Sequence, residues 1–160
     1  MGSPQEFIMG LSNDPDAFIV VVTYSETADV IATASARRYL GPPADSSSPW
    51  ARRLDVKEGD VEWELKLMAT HPEAQGGGLA LRMMELVEKE ITGRERKGRV
   101  IAARDAEERQ VNVKLVLSTP REIMGEYYAQ RGFVKDYEVE RGEGYSFHIV
   151  FMSKVVAVLP

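Results

Sequence analysis

The spacing of apolar residues predicts an α/β (α+β) protein with a mixed, mostly antiparallel twisted sheet and one central β-α-β crossover. Three observations predict it. Six short runs concentrate or alternate β-branched and aromatic residues, as strands do. A single long helical stripe follows a glycine triplet between the third and fourth of these runs. Polar or glycine-containing turns join the outer runs, which makes them antiparallel hairpins.

The elements follow in chain order. Residues 18–24 (FIVVVTY) read as a buried strand, and 30–38 as its hairpin partner across the polar turn 25–29. Residues 41–60 hold adjacent prolines, a serine run and a Gly-Asp pair, and form a long loop with a short helical turn near 50–54. In 61–69 (VEWELKLMA), Glu62, Glu64 and Lys66 fall on one face and Val61, Trp63, Leu65 and Leu67 on the other. His71-Pro72 ends this strand. From Leu79 to Ile91 the residues Ala80, Met84, Val87 and Ile91 recur at helical spacing, widened by Leu79, Met83 and Leu86. The charged stretch 92–110 reads as a solvated loop or a continuation of that helix. Residues 111–118 return to strand, 121–131 form a short helix closed by Gly132, and 134–140 with 145–152 form the last hairpin. The passage 61–118 predicts a right-handed crossover between parallel strands.

Composition narrows the function. With 160 residues and 44% hydrophobic content the chain can bury one core. No apolar run approaches the roughly 20 residues that span a bilayer, so no membrane partner is expected. The absence of cysteine removes disulfides, thiolate metal sites and thiol nucleophiles, and two histidines are too few for a metal cluster. A net charge of -5 disfavours a nucleic-acid partner and is compatible with a cationic one. The opening MGSPQEF looks vector-derived, so residues 1–12 are expected to be a disordered tag and 13–160 a single domain. The location expected is cytoplasmic, or nuclear.

The richest segment is MATHPEAQGGGLALRMMELVEKEI, where a strand enters a glycine turn and a helix begins at once. Glycine lets the backbone approach a ligand closely, the first helical N–H groups lack intrahelical partners, and the helix dipole adds positive charge. Such a place suits a phosphate or diphosphate, although glycines that only turn the chain would look the same. No Lys-Ser/Thr follows the glycines, so this is not a Walker loop, and their spacing does not match the dinucleotide fingerprint.

The run Gln75-Gly76-Gly77-Gly78-Leu79-Ala80 matches the pattern Q/R-x-x-G-x-G/A of the GCN5-related N-acetyltransferase (GNAT) superfamily. The preceding MATHPEA resembles that family's strand exit, and Glu126–Phe133 (EYYAQRGF) resembles its late-helix signature FYEKLGF. The two blocks stand in the family's order, and the resemblance extends from about Phe18 to Met152.

The resemblance implies an acetyl-CoA-dependent N-acetyltransferase that moves an acetyl group to a primary amine, on a small molecule or a protein, by direct attack. It implies that the backbone of Gln75, Gly76, Gly77, Gly78, Leu79 and Ala80 holds the CoA diphosphate. The pantetheine would pair with the strand end Met68-Ala69-Thr70, and a main-chain N–H near Met68 or Ala69 would meet the acetyl oxygen. Glu64 matches the family's catalytic glutamate, counted back from the glycine turn. Glu62 shares its facing, and many relatives use a water chain instead. Tyr128 matches the signature tyrosine and is the candidate acid, with Tyr127 beside it as the packing alternative. His71 and His148 read as structural or solvent-facing, and no residue is assigned to a metal.

The sequence departs from the family in two places. Arg121 stands where members carry an asparagine that touches the cofactor, and it could instead pair with a CoA phosphate. The usual N-terminal strand and helices are expected to be missing; these help build the acceptor site. A bare sheet edge there would favour association, which leaves a homodimer open. The alternative reading is a non-catalytic or truncated acyl-CoA-binding module of the same fold. The acceptor is not legible.

Overall fold

The structure is a computed structural model that describes residues 4–10, 14–102, 110–142, 144 and 146–160, with the side chains of 100–102 left aside. The chain order is β1 (Pro4–Gly10), β2 (Ala17–Tyr24), β3 (Val30–Tyr39), β4 (Asp60–Thr70), α1 (Leu79–Ala102), β5 (Val111–Pro120), α2 (Glu126–Ala129), β6 (Val134–Arg141) and β7 (Phe147–Leu159). The fold is mixed α+β, with the strand-helix-strand passage β4-α1-β5 at its centre. The chain divides into two compact units, Met1–Arg38 with Trp63–Glu107, and Tyr39–Glu62 with Glu108–Pro160. Among the described residues, no helix is long and apolar enough to cross a membrane.

In the first unit the strands follow the order β1-β2-β3-β4. β2 and β3 pair antiparallel with Phe18 opposite Ala36, Val20 opposite Ala34 and Val22 opposite Ala32. Large residues therefore face small ones, and all six are at most 2% exposed. The room above the alanines is needed by α1, whose Met83, Met84, Leu86, Val87 and Ile91 are buried. Trp63 completes this core: its ring lies 5.7 Å from that of Phe18, and its Nε1 donates to Glu95 Oε1 of α1 at 2.9 Å. Arg38 approaches the same carboxylate at 3.3 Å, and the Arg94 guanidinium lies 4.8 Å over the Phe18 ring. A buried indole N–H is thus satisfied and a buried carboxylate is paired, as enclosed polar groups require.

One expectation fails in this unit. Residues 4–10, read as tag, form β1, paired antiparallel with β2 from Pro4↔Tyr24 to Gly10↔Phe18. Its side chains are all exposed, so the strand rests on its backbone ladder rather than on packing. Pro4 is tolerated because it opens an edge strand. Of the two readings of 92–110, the continuation of the helix holds as far as Ala102: the charged later turns of α1 pair along their own surface, as Arg94 does with Glu90 at 2.7 Å. The rest of the charged stretch, 103–109, lies outside the described residues.

In the second unit the order is β5-β7-β6, antiparallel throughout. Val113, Leu115, Ile149 and Phe151 are buried, and Tyr137 stacks on Phe151 at 4.3 Å. β7 runs on to Leu159, since the apolar 155–159 segment pairs with the start of β5. Part of the turn before β7, including Tyr145, lies outside the described residues. The expected helical turn at 50–54 does not form, because tertiary partners claim its backbone. The Tyr39 hydroxyl donates to the carbonyls of Arg52 (3.1 Å) and Leu54 (2.8 Å), while the Arg53 N–H donates to Tyr137 Oη at 2.9 Å.

Candidate functional site

β4 leads into the candidate site. Its alternation breaks at both ends: Leu67, expected inside, is 54% exposed, whereas Glu62, expected outside, is 3% exposed. Glu64 is half-buried, and Lys66 Nζ, on the same face, donates to its Oε2 at 2.9 Å. Met68 and Thr70 are half-buried and Ala69 is exposed. The strand stays tied to β3 to its end, where His71 N–H donates to the Ile31 carbonyl at 2.8 Å.

A single 3-10 turn, Pro72–Ala74, then redirects the chain. His71 caps it, Nδ1 accepting from the Glu73 N–H at 3.3 Å, so this histidine has a structural task. Gln75 closes the turn: its N–H donates to the Pro72 carbonyl at 3.3 Å and its side-chain amide reaches the Thr70 carbonyl at 3.5 Å. The Gln75 nitrogen is therefore not free for a ligand, which corrects one of the six expected backbone donors.

The other five remain. Among the described residues, no protein group accepts from the amides of Gly76, Gly77, Gly78, Leu79 or Ala80. Gly76 and Gly78 sit at φ of 83° and 76°, where a Cβ would be strained, so glycine is required by the backbone itself. A Cβ at either would meet nothing within 4 Å, which leaves the approach open. The Gly78 carbonyl accepts the first helical bond, from Arg82 N–H at 3.0 Å. A Ser, Thr, Asp or Asn there would occupy the following amides with its own oxygen; glycine leaves them bare. No acidic residue lies in the first turn of α1, so nothing offsets the positive end of the dipole. The exposed arrangement fits a phosphate or diphosphate group. Arg82 is already committed to Glu6, with Nε–Oε1 and Nη2–Oε2 distances of 2.6 and 2.9 Å.

Tyr128 belongs to the second unit. The segment Arg121–Gly125 is a π-helical turn and α2 covers only Glu126–Ala129, where one regular helix to 131 was expected. Arg121 Cγ lies 3.3 Å from where a Gly125 Cβ would stand, so the wider turn brings these two close. Gly132, at φ 86°, closes the segment in a Schellman motif: its N–H donates to Ala129 O at 3.1 Å and Phe133 N–H to Tyr128 O at 3.2 Å. The Tyr128 and Phe133 rings meet edge-on at 5.5 Å, the apolar contact that accompanies this motif. Tyr128 is 7% exposed, and its phenol is held above the ordinary tyrosine value by burial. Among the described residues, no protein group accepts from its hydroxyl. Tyr127 instead carries the Arg131 guanidinium 3.4 Å over its ring.

Arg121 is paired with side chains of its own unit. Its guanidinium reaches Glu138 at 3.3 Å, Glu122 at 3.1 Å and His148 Nδ1 at 2.8 Å. His148 Nδ1 also lies 2.7 Å from Glu122 Oε1, and the Glu122 carboxyl is held down to about 2, first by the His148 hydrogen bond. The buried Glu62 beside Arg52, with side chains 3% and 4% exposed, was not legible as special; only its facing was.

No protein-family model matches the chain, and no curated protein matches it in sequence. Solved structures do match in fold. An aminoglycoside 6'-N-acetyltransferase complexed with coenzyme A superposes with a TM-score of 0.57 at 13% identity, over 91% of this chain and 76% of that one. The ribosomal-protein-S18-alanine N-acetyltransferase from Escherichia coli gives 0.55 at 15% identity, over 91% and 72%. A GNAT-family protein from Desulfovibrio desulfuricans gives 0.54 at 15% identity, over 89% and 71%. At these identities the likeness shows a shared GNAT fold.

Proposed function

We propose that the chain binds acetyl-CoA and transfers its acetyl group to a primary amine. The observation that carries this reading is the row of unpaired amides from Gly76 to Ala80 at the head of α1, in a GNAT fold. The structural neighbours support it, since two are named as N-acetyltransferases of different substrates and two are bound to coenzyme A.

The bound group supplies an acetyl thioester. The residues of the chain must do the rest. An amine of pKa about 10.4 is mostly protonated at neutral pH and needs a base. Glu64 would take that role, accepting the proton at the carboxylate that Lys66 now holds at 2.9 Å. A main-chain N–H near Met68 or Ala69 would stabilise the negative charge on the acetyl oxygen while the nitrogen–carbon bond forms. Tyr128 Oη would protonate the sulfur as the carbon–sulfur bond breaks; a phenol raised by burial stays protonated at neutral pH and so keeps that proton to give.

The Lys66–Glu64 pair also favours a second reading, in which the chain binds acyl-CoA without turnover. Calorimetry with acetyl-CoA followed by thiol release over a panel of amines separates the two. Turnover in the wild type, depressed in Glu64→Gln and Tyr128→Phe with CoA affinity retained, supports catalysis. Binding without turnover of any amine supports the second reading, and no binding at all removes both.

A further inference from the structure

Five charged side chains of the second unit cluster around the root of the 41–59 loop, three of them buried. Arg52 comes from the loop, Asp60 and Glu62 from the start of β4, Lys114 from β5 and Asp136 from β6. Their side chains are 4%, 6%, 3%, 19% and 21% exposed, in that order. The pairing among them is uneven. Lys114 is taken by Asp60, which also accepts from Asn112 Nδ2 at 3.0 Å. Arg52 gives its aligned hydrogen bond to Asp136, Nη1 to Oδ2 at 2.7 Å, and Ser153 Oγ donates to the other oxygen of Asp136 at 2.8 Å. Glu62 is left with Arg52 Nε at 3.3 Å, close enough for attraction but misaligned, so Arg52 Nε and Glu62 Oε2 are both buried without a hydrogen-bond partner.

Three carboxylates thus share two cations, and the poorest pairing falls on the most enclosed acid. A buried carboxylate without an aligned donor is costly when ionised and cheap when protonated. The simplest route to hydrate it is to lift the segment that carries Arg52. Neutral contacts also seat that segment: the Tyr39 hydroxyl on two carbonyls, Arg53 N–H on Tyr137, Ser118 Oγ on the Trp50 carbonyl at 3.0 Å, and the Trp50 ring stacked on Phe147 at 6.4 Å.

We propose that Glu62 is a proton-operated latch on the 41–59 loop, which stays seated while Glu62 holds a proton and loosens when that proton leaves. The direction agrees with the raised proton affinity of Glu62, caused first by burial, opposed by Arg52 and Lys114 and reinforced by Asp136. A carboxylate with raised affinity in the seated state stabilises that state on the acid side. The stabilisation declines as pH rises above the ordinary carboxylate range and through the raised value. The latch is independent of the acetyl-transfer reading.

Hydrogen exchange of the full chain tests it, read by mass spectrometry from about pH 4 to about pH 9 and corrected for intrinsic rates, a range that spans carboxylates in folded proteins. The wild type should lose protection at 50–54 in one step as pH rises, by about tenfold for each unit by which burial displaces the titration, while α1 shows no such step. Glu62→Gln should stay protected at every pH. Asp136→Asn removes a repelling carboxylate and should move the step to lower pH, which decides the matter if Glu62→Gln does not fold. A flat wild-type profile, a step that survives in Glu62→Gln, or an unmoved midpoint in Asp136→Asn overturns the latch.

Discussion

Gly78→Val perturbs the proposed anion site where the geometry is most demanding. At φ 76° a residue with a Cβ is strained by about 1–3 kcal/mol, and a β-branched one lies toward the upper end. The Cβ itself would meet nothing within 4 Å, so the substitution creates no clash with the core. The exposed turn relieves the strain by rotating the 77–78 peptide, the rotation that changes φ at 78, and this turns the Gly78 amide away from the shared focus. A hydrogen bond to a charged group contributes about 1.5–3 kcal/mol, so losing this one weakens binding by about 1.5–3 kcal/mol. At 1.4 kcal/mol per decade that is about tenfold to a hundredfold in Kd. Isothermal titration with CoA measures it, with the unfolding midpoint of the free protein as control. A Kd within about threefold of wild type, with the fold intact, would refute the reasoning, because this amide would then not be holding the ligand.

Other expectations follow from single contacts. Glu95→Ala leaves the Trp63 indole N–H buried without an acceptor and should destabilise the protein by about 1–3 kcal/mol in urea unfolding. Gly132→Ala forces a Cβ into the left-handed conformation that closes the Schellman motif and should lower stability by about 1–2 kcal/mol, although the nearest atom, Lys154 Cε, is a comfortable 3.6 Å away. Gly98→Ala, inside α1 with nothing within 4 Å of the new methyl, should raise stability by about 0.5–1 kcal/mol. The Glu122 carboxyl should titrate near 2 by carbon-detected NMR, because the depressed acid keeps its charge as pH falls through the ordinary range; replacing His148 by Phe should return it upward.

Where a signal was local and repeated, the sequence carried it. The β-branched and aromatic run 18–24 located β2, and the stripe through Met84, Val87 and Ile91 located the start of α1, because each is a property of neighbouring residues alone. The glycine turn was legible for the same reason: Gly76 and Gly78 occupy backbone conformations that other residues avoid. What escaped depended on distant partners. Residues 50–54 were given a helical turn that the Tyr39 hydroxyl pre-empts from another strand. Glu62 and Glu64 are indistinguishable by alternation, yet Arg52 meets one and Lys66 the other. Residues 4–10 were set aside on composition, although Phe7, Ile8 and Met9 suit a strand once β2 offers an edge. The assignment of Arg121 to a phosphate could not foresee that Glu122, Glu138 and His148 would converge on it.

The alanine row of β3 has a mechanical consequence. Ala32, Ala34 and Ala36 are at most 2% exposed, opposite Val22, Val20 and Phe18, in a core whose close packing leaves little room for an added methylene. A methylene added at Ala34 should press on that core, and any shift of α1 that relieves it is carried along a continuous helix of 24 residues to its first turn, where the bare amides stand. Small volume changes deep in this core should thus register as altered grip on an anion, at positions no bound molecule could touch.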